Sequence, residues 1–148
     1  MTAAPLNATW SIGQLTDEDT AVLVRWRSDL VVPELSRQYP RQFVVTWVFH
    51  DVQANGLPGP DEAQQAQALE ELLTPALEAA DASVLALVST GSGHREWFFY
   101  CSDPLVLEAR LNTVLSGMPP YPLELHTGLD PEWEVFLDNI LPFIAGAP

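Results

Sequence analysis

The run Gln42-Phe-Val-Val-Thr-Trp-Val-Phe-His50 decides how the rest of the chain is read. Side chains alternate across a strand, so Phe43, Val45, Trp47 and Phe49 share one face, and Val44, Thr46, Val48 and His50 share the other. The odd-numbered face is the expected core face. Asn55-Gly-Leu-Pro-Gly-Pro60 then breaks the strand, and Pro60 at a first helical position, followed by Asp61 and Glu62 at the positive helix end, signals a helix start. Ala66, Leu69, Leu73, Ala76, Leu77 and Ala80 continue at helical spacing. Pro75 interrupts that stripe, lacks a backbone donor and crowds the carbonyl of Glu71; such a defect costs ~3 kcal/mol in a regular helix, which predicts a kink or break near Thr74.

The pattern repeats further along the chain. Ser83 to Thr90 is an apolar run of strand length, Gly91-Ser-Gly93 is a turn, and Arg95-Glu-Trp-Phe-Phe-Tyr-Cys101 is an aromatic strand, which together predict a hairpin. Asp103 serves as an N-cap with Pro104 behind it. Leu107, Leu111, Val114 and Leu115 stripe the helix that follows, which ends before Gly117 and Pro119-Pro120. Tyr121, Leu123 and Leu125 alternate with Pro122, Glu124 and His126 as a half-buried strand. The order β-α-β-β-α-β over residues 42–127, with right-handed crossovers, predicts an α+β fold: a ferredoxin-like antiparallel sheet in the order fourth, first, third, second, with both helices on one face. The open face is then left for the N-terminal segment, the last helix or a partner to cover.

Flanking segments complete a single domain spanning 1–148. In 8–41, two strands at 8–15 and 20–28 form an N-terminal hairpin, with Trp10 and Ile12, then Val22, Val24 and Trp26, at period two; a connection with one short helical turn follows. Asp130-Pro-Glu repeats the cap-and-proline start and opens a C-terminal helix over 130–142, carrying Trp133, Phe136, Leu137, Ile140 and Leu141.

Composition narrows the function. Twenty acids face six bases, all arginine, for a formal net charge of −14. A surface this negative repels phosphate backbones, so no direct nucleic-acid partner is expected, whereas a basic protein could be steered onto it. Arg25, Arg27, Arg37 and Arg41 make one stretch locally positive. No apolar run reaches the ~20 residues that cross a bilayer, so no membrane partner is expected. Met1-Thr-Ala-Ala-Pro-Leu-Asn7 has neither the basic start nor the apolar segment of a secretory signal, and Cys101 as the sole cysteine forms no internal disulfide; both agree with a cytoplasmic protein.

No catalytic, metal or cofactor motif stands out, and no cofactor is expected. His50, His94 and Glu96 gather near one end of the predicted sheet as weak metal candidates without diagnostic spacing, and ordinary surface histidines are the simpler reading. Cys101 shares the parity of Trp97 and Phe99 and reads as a core residue. Ser89-Thr-Gly-Ser-Gly93 resembles a phosphate loop but joins two strands and lacks the lysine; it reads as a hairpin turn. Phe98 and Tyr100 on the open face invite comparison with RNA readers, but Glu96 and the net charge oppose it, so burial under the N-terminal hairpin is expected. Glu70-Glu71 and Glu132/Glu134 are placed on solvated helix faces.

Tyr39-Pro-Arg41, Val44-Val-Thr46, Gly56-Leu-Pro58, Arg95 to Tyr100, Tyr121-Pro122 and Asp130-Pro-Glu-Trp133 together resemble the DUF695 family of uncharacterised bacterial proteins. The resemblance implies a bacterial, cytoplasmic α+β domain of undefined activity. Such a domain is similar in type to the acidic ribonuclease E inhibitor family called RraB, which acts by binding a protein; no binding residue of this chain matches that inhibitor one by one. Where the family often has a tyrosine after Asp-Pro-x-Trp, this chain has Phe136.

The leading expectation is a noncatalytic acidic domain that binds a protein, such as a regulator or inhibitor of a basic enzyme. The alternative is a small-ligand-binding protein or enzyme with a pocket between the open sheet face and the N-terminal segment, lined by Arg25, Arg27, His94, Arg95 and Tyr100. A homodimer stays open. A filled face favours the first reading, and a deep pocket with convergent polar groups favours the second.

Overall fold

The computed structural model describes residues 9–144, which form β1 (Trp10–Asp17), β2 (Thr20–Arg27), α1 (Val32–Gln38), β3 (Arg41–Val48), α2 (Pro60–Glu78), β4 (Ser83–Gly91), β5 (His94–Cys101), α3 (Pro104–Leu115), β6 (Leu123–Leu129) and α4 (Glu134–Ile144). Residues 1–7, and residue 8 of the expected first strand, lie outside the described segment. The fold is mixed α+β. Its strands form one antiparallel sheet in the order β1-β2-β4-β5-β3-β6.

β3 lies inside the sheet, and the alternation of its side chains separates two cores. Phe43, Val45 and Trp47, with Leu85, Trp97, Phe99 and Cys101 from β4 and β5, pack against Leu69, Leu73 and Leu77 of α2 and Leu107 and Leu111 of α3. Val44, Phe98 and Tyr100, with Val24 and Trp26 of β2, pack against Leu35 of α1 and Trp133, Phe136 and Ile140 of α4. Both faces of β3 are therefore buried. The unbroken apolar run in β4 has a further cause: the register slips between Leu85 and Leu87, so that Leu85 and Val88 join the α2 side while Val84, Ala86 and Leu87 join the α4 side.

The N-terminal hairpin does not cover the open face. β2 pairs with β4 and extends the sheet in its own plane, so Phe98 and Tyr100 are buried under α4 and α1 instead. Opposed pairs Trp10↔Arg27 and Ile12↔Arg25 show that Trp10 and Ile12 share the arginines' face, opposite Val24 and Trp26. On the latter face Phe143 stacks on Trp26 at 5.3 Å, and Gly13 lies so close to Phe143 that a Cβ there would overlap its ring.

Pro75 does not break α2, which runs unbroken to Glu78 and ends in a 3-10 turn at Ala79–Asp81. Glu71, whose carbonyl loses its partner, is exposed, so water can solvate that group. Arg110 donates to the carbonyls of Ala76 and Ala79 at 3.3 and 2.7 Å, a cation placed at the negative end of the helix. The C-terminal helix starts four residues later than its Asp-Pro signal implies, because Trp133 adopts φ +58° and the chain turns before the helix begins. β6 is an edge strand and mostly exposed rather than half-buried.

Candidate functional site

Of the residues expected to line one pocket, Arg25 and Arg95 come together and the others stand apart from that cavity's lining. Arg25 lies on the α2 side, where its Nη2 donates to Glu70 Oε1 at 2.6 Å and its guanidinium carbon sits 4.7 Å from the Trp10 ring centre. Arg27 forms a two-pronged pair with Asp29, at 2.8 Å from Nε and 2.7 Å from Nη2, and that bonding holds the Asp29 carboxyl below its usual range. Arg95 donates from Nε to Thr90 Oγ1 at 2.9 Å. Arg25 and Arg95 are brought together: with Thr90, Gln67, Ile12, Leu23, Val24 and Val88 they line a cavity of about 150 Å³. Tyr100 is on the other side of the sheet. His94 is bound into the β4–β5 turn, where Nδ1 donates to Gly91 O at 2.8 Å, since a carbonyl can only accept.

The weak metal candidates do not converge. His50 is exposed beyond β3, His94 pairs with Val48 and Gly91, and Glu96 lies between Thr46 and Ser89. Among the described residues no three His, Cys, Asp or Glu side chains are grouped to hold a metal ion. Cys101 is fully buried, and burial pushes its thiol up to about 11.

Two acids of α2 are buried: Glu70, against its expected solvated placement, and Glu62, expected only as an acid at the helix start. Glu62 is 7% exposed and Glu70 8%. Glu62 accepts from Trp47 Nε1 at 3.0 Å and from the main-chain N–H groups of His50 and Asp51 at 2.9 and 2.8 Å. Burial pushes its carboxyl up, but these bonds outweigh burial and hold it below the ordinary range. Glu70 Oε1 accepts from Trp97 Nε1 at 2.8 Å as well as from Arg25. The signal was present in the sequence as an i, i+8 pair flanking Ala66, on the same side as the apolar stripe.

Asp130 is the hub of the opposite layer. Its Oδ2 accepts from Tyr100 OH at 2.8 Å, Gln42 Nε2 at 2.9 Å and Val135 N–H at 3.1 Å; its Oδ1 accepts from Glu134 N–H at 2.8 Å. Desolvation raises this carboxyl and the four bonds more than offset it, for a net lowering. Burial, then donation to Asp130, raises Tyr100. Tyr100 stacks on Trp133 at 4.2 Å, and Trp133 Nε1 donates to Tyr39 O at 2.8 Å, which holds the left-handed residue in place. Every buried side-chain nitrogen and oxygen among the described residues has a partner. The open face expected from the sequence is thus filled and satisfied.

β6 is one of the two edges of the sheet, β1 being the other, and apolar side chains lie exposed on and beside it. Leu105, Leu125 and Leu129 are 72%, 43% and 66% exposed. A groove of about 360 Å³ between β6 and the start of α3 is lined by Phe43, Pro104, Leu105, Glu108, Leu125 and Thr127. Asp130 N–H donates to Pro40 O, and Val48 N–H to Pro122 O. By the alternation of an antiparallel ladder, the main-chain groups of Leu125, Thr127 and Leu129 then point outward, away from β3.

The sequence model of a family described as a family of unknown function, DUF695, matches residues 8–141 of this chain. No curated protein matches it.

Proposed function

Because the chain belongs to the DUF695 family, which fixes no activity, we propose from its own surfaces that it is a noncatalytic, acidic, cytoplasmic protein-interaction domain that takes an extended segment of a basic partner protein at the β6 edge. The reading takes β3 to β6 with α2 and α3 as a ferredoxin-like core whose outer edge is free. One observation carries it: an unpaired edge strand beside an apolar groove, where the charged lining residue is Glu108 and the chain's net charge is −14. Strand addition would satisfy the outward main-chain groups of Leu125, Thr127 and Leu129, and the groove would receive alternate apolar side chains of the added strand. The surrounding acids would favour positive flanks on the partner and speed its encounter. Direct nucleic-acid binding is disfavoured by the charge.

Thr127→Pro is the sharp test. It removes one outward N–H and leaves the inward ladder bonds alone, a position where edge strands tolerate proline. Recovery of a basic protein from the native lysate by the wild-type chain, weakened by salt and abolished by Thr127→Pro at unchanged melting temperature, is the expected result. Equal recovery by both proteins would overturn the edge as the docking surface. A concentration-dependent dimer lost in Thr127→Pro would reassign the edge to a second copy of the chain.

A further inference from the structure

The β1–β2 hairpin extends the sheet past the α2 layer and leaves a shelf at the end of the sheet opposite β6, and on it lies the cavity that Arg25 and Arg95 share. We infer that this cavity is a binding site for a small monocarboxylate with a short apolar tail, independent of the edge-strand reading.

The cations supply the first reason. Among the described residues two arginines form ion pairs, Arg25 with Glu70 and Arg27 with Asp29. Arg95 does not, in a chain where 20 acids face six arginines. It is half-buried on β5, and its one hydrogen bond is from Nε to the Thr90 hydroxyl. A guanidinium has five N–H donors in a planar fork, so the terminal nitrogens of Arg95, which are not buried, keep donors free for a ligand. A carboxylate matches that fork with two parallel bonds. Arg25, Arg95 and Glu70 sum to one positive charge, which one carboxylate neutralises; a phosphate dianion would bring a second negative charge against Glu70.

Size and lining supply the second. At ~30 Å³ for each water in the liquid, a space of about 150 Å³ holds roughly five waters, or a carboxylate and three or four carbons. Ile12, Leu23 and Val88 give it apolar walls against which a branched or straight tail loses water, while Arg25, Thr90 and Arg95 hold the polar groups on the sheet floor.

Isovalerate, titrated into the full chain at neutral pH in low chloride and followed by ¹H–¹⁵N NMR, is the probe. Saturable shifts at the Arg95 Nε–H and the Thr90 amide are expected, with half-saturation in the millimolar range. Arg95→Gln should weaken binding by about tenfold or more, the usual loss for a hydrogen-bonded charge. Leu23→Trp, which fills the cavity and keeps both arginines, should block it with an unchanged melting temperature, and so tests the site even if Arg95→Gln folds poorly. Inorganic phosphate should give no saturable shift. No saturation with isovalerate, undiminished binding in Leu23→Trp, or phosphate binding as tight as isovalerate would each overturn the assignment.

Discussion

Replacing Asp130 by alanine takes the acceptor from four donors at once: the Tyr100 hydroxyl, the Gln42 amide and the N–H groups of Glu134 and Val135. Tyr100 and Gln42 are buried, and an unpaired buried donor costs ~1–3 kcal/mol. Loss of a capping carboxylate at α4 adds ~0.5–2 kcal/mol, though water can reach exposed Glu134 and recover part of that. Allowing for overlap and for water entering the vacated space, Asp130→Ala should destabilise the fold by about 3–5 kcal/mol. Asp130→Asn keeps one acceptor oxygen and should lose less. Urea unfolding followed by tryptophan fluorescence reads the difference directly, with an unchanged slope in denaturant. The pH dependence has a definite sign. The folded-state carboxyl of Asp130 titrates below its unfolded value, so its stabilisation is present above that unfolded value, near pH 4, and is lost as pH falls through the lower folded one. The gap between wild type and Asp130→Ala should therefore narrow on going from pH 7 to pH 3. A cost under ~1 kcal/mol at pH 7, or a gap that widens in acid, would refute the role given to this carboxylate.

Two further substitutions probe other contacts. Gly13→Ala should destabilise by ~1–3 kcal/mol, because its methyl overlaps the Phe143 ring, and the loss should be largely absent when Phe143 is already alanine; denaturation of the two single variants and the double variant checks the coupling. Glu78 behaves oppositely to Asp130: burial raises its folded-state carboxyl, so its contribution is most favourable below its unfolded value and is lost as pH rises through the folded one. Glu78→Gln keeps an acceptor for the Leu85 N–H at 2.8 Å and sheds the charge, so its melting temperature should exceed wild type at pH 7 and converge with it near pH 4; no excess at pH 7 would contradict the assignment.

The strands and crossover helices could be read because alternation and helical spacing report burial directly, and β3, β4, β5, α2 and α3 all carry those patterns. Asp103 capping α3 through Leu105 N–H, at 3.0 Å, follows from the same local chemistry. Features decided at long range were not legible. Val24 and Trp26 have the same alternation whether the hairpin covers the sheet or extends it; pairing of β2 with β4 decides, and that pairing spans more than 60 residues. Asp130 looks like an ordinary cap, since its bonds to Gln42 and Tyr100 bridge 88 and 30 residues. The left-handed Trp133 has no signal in a non-glycine residue and is set by the stack on Tyr100. Of the five proposed ligand residues, Arg25 and Arg95 meet in one cavity because β2 and β5 flank β4; the slip in β4 register was invisible to a reading of each strand alone, whereas the opposite parity of Arg95 and Tyr100 on β5 was legible in the strand itself.

Glu62 and Glu70 hold the indoles of Trp47 and Trp97 from positions eight residues apart, ~12 Å along the axis of α2. Ala66, Leu69, Leu73 and Leu77 on the same helix face recur so regularly that sliding the helix by one turn, ~5.4 Å, would exchange one apolar contact for another at small loss. The same slide would unseat both acids together and strand two indole N–H groups in a dry interior. Those two carboxylates therefore act as locating pins: greasy packing makes the helix adhere to the sheet, and the pins select the single axial position at which it comes to rest.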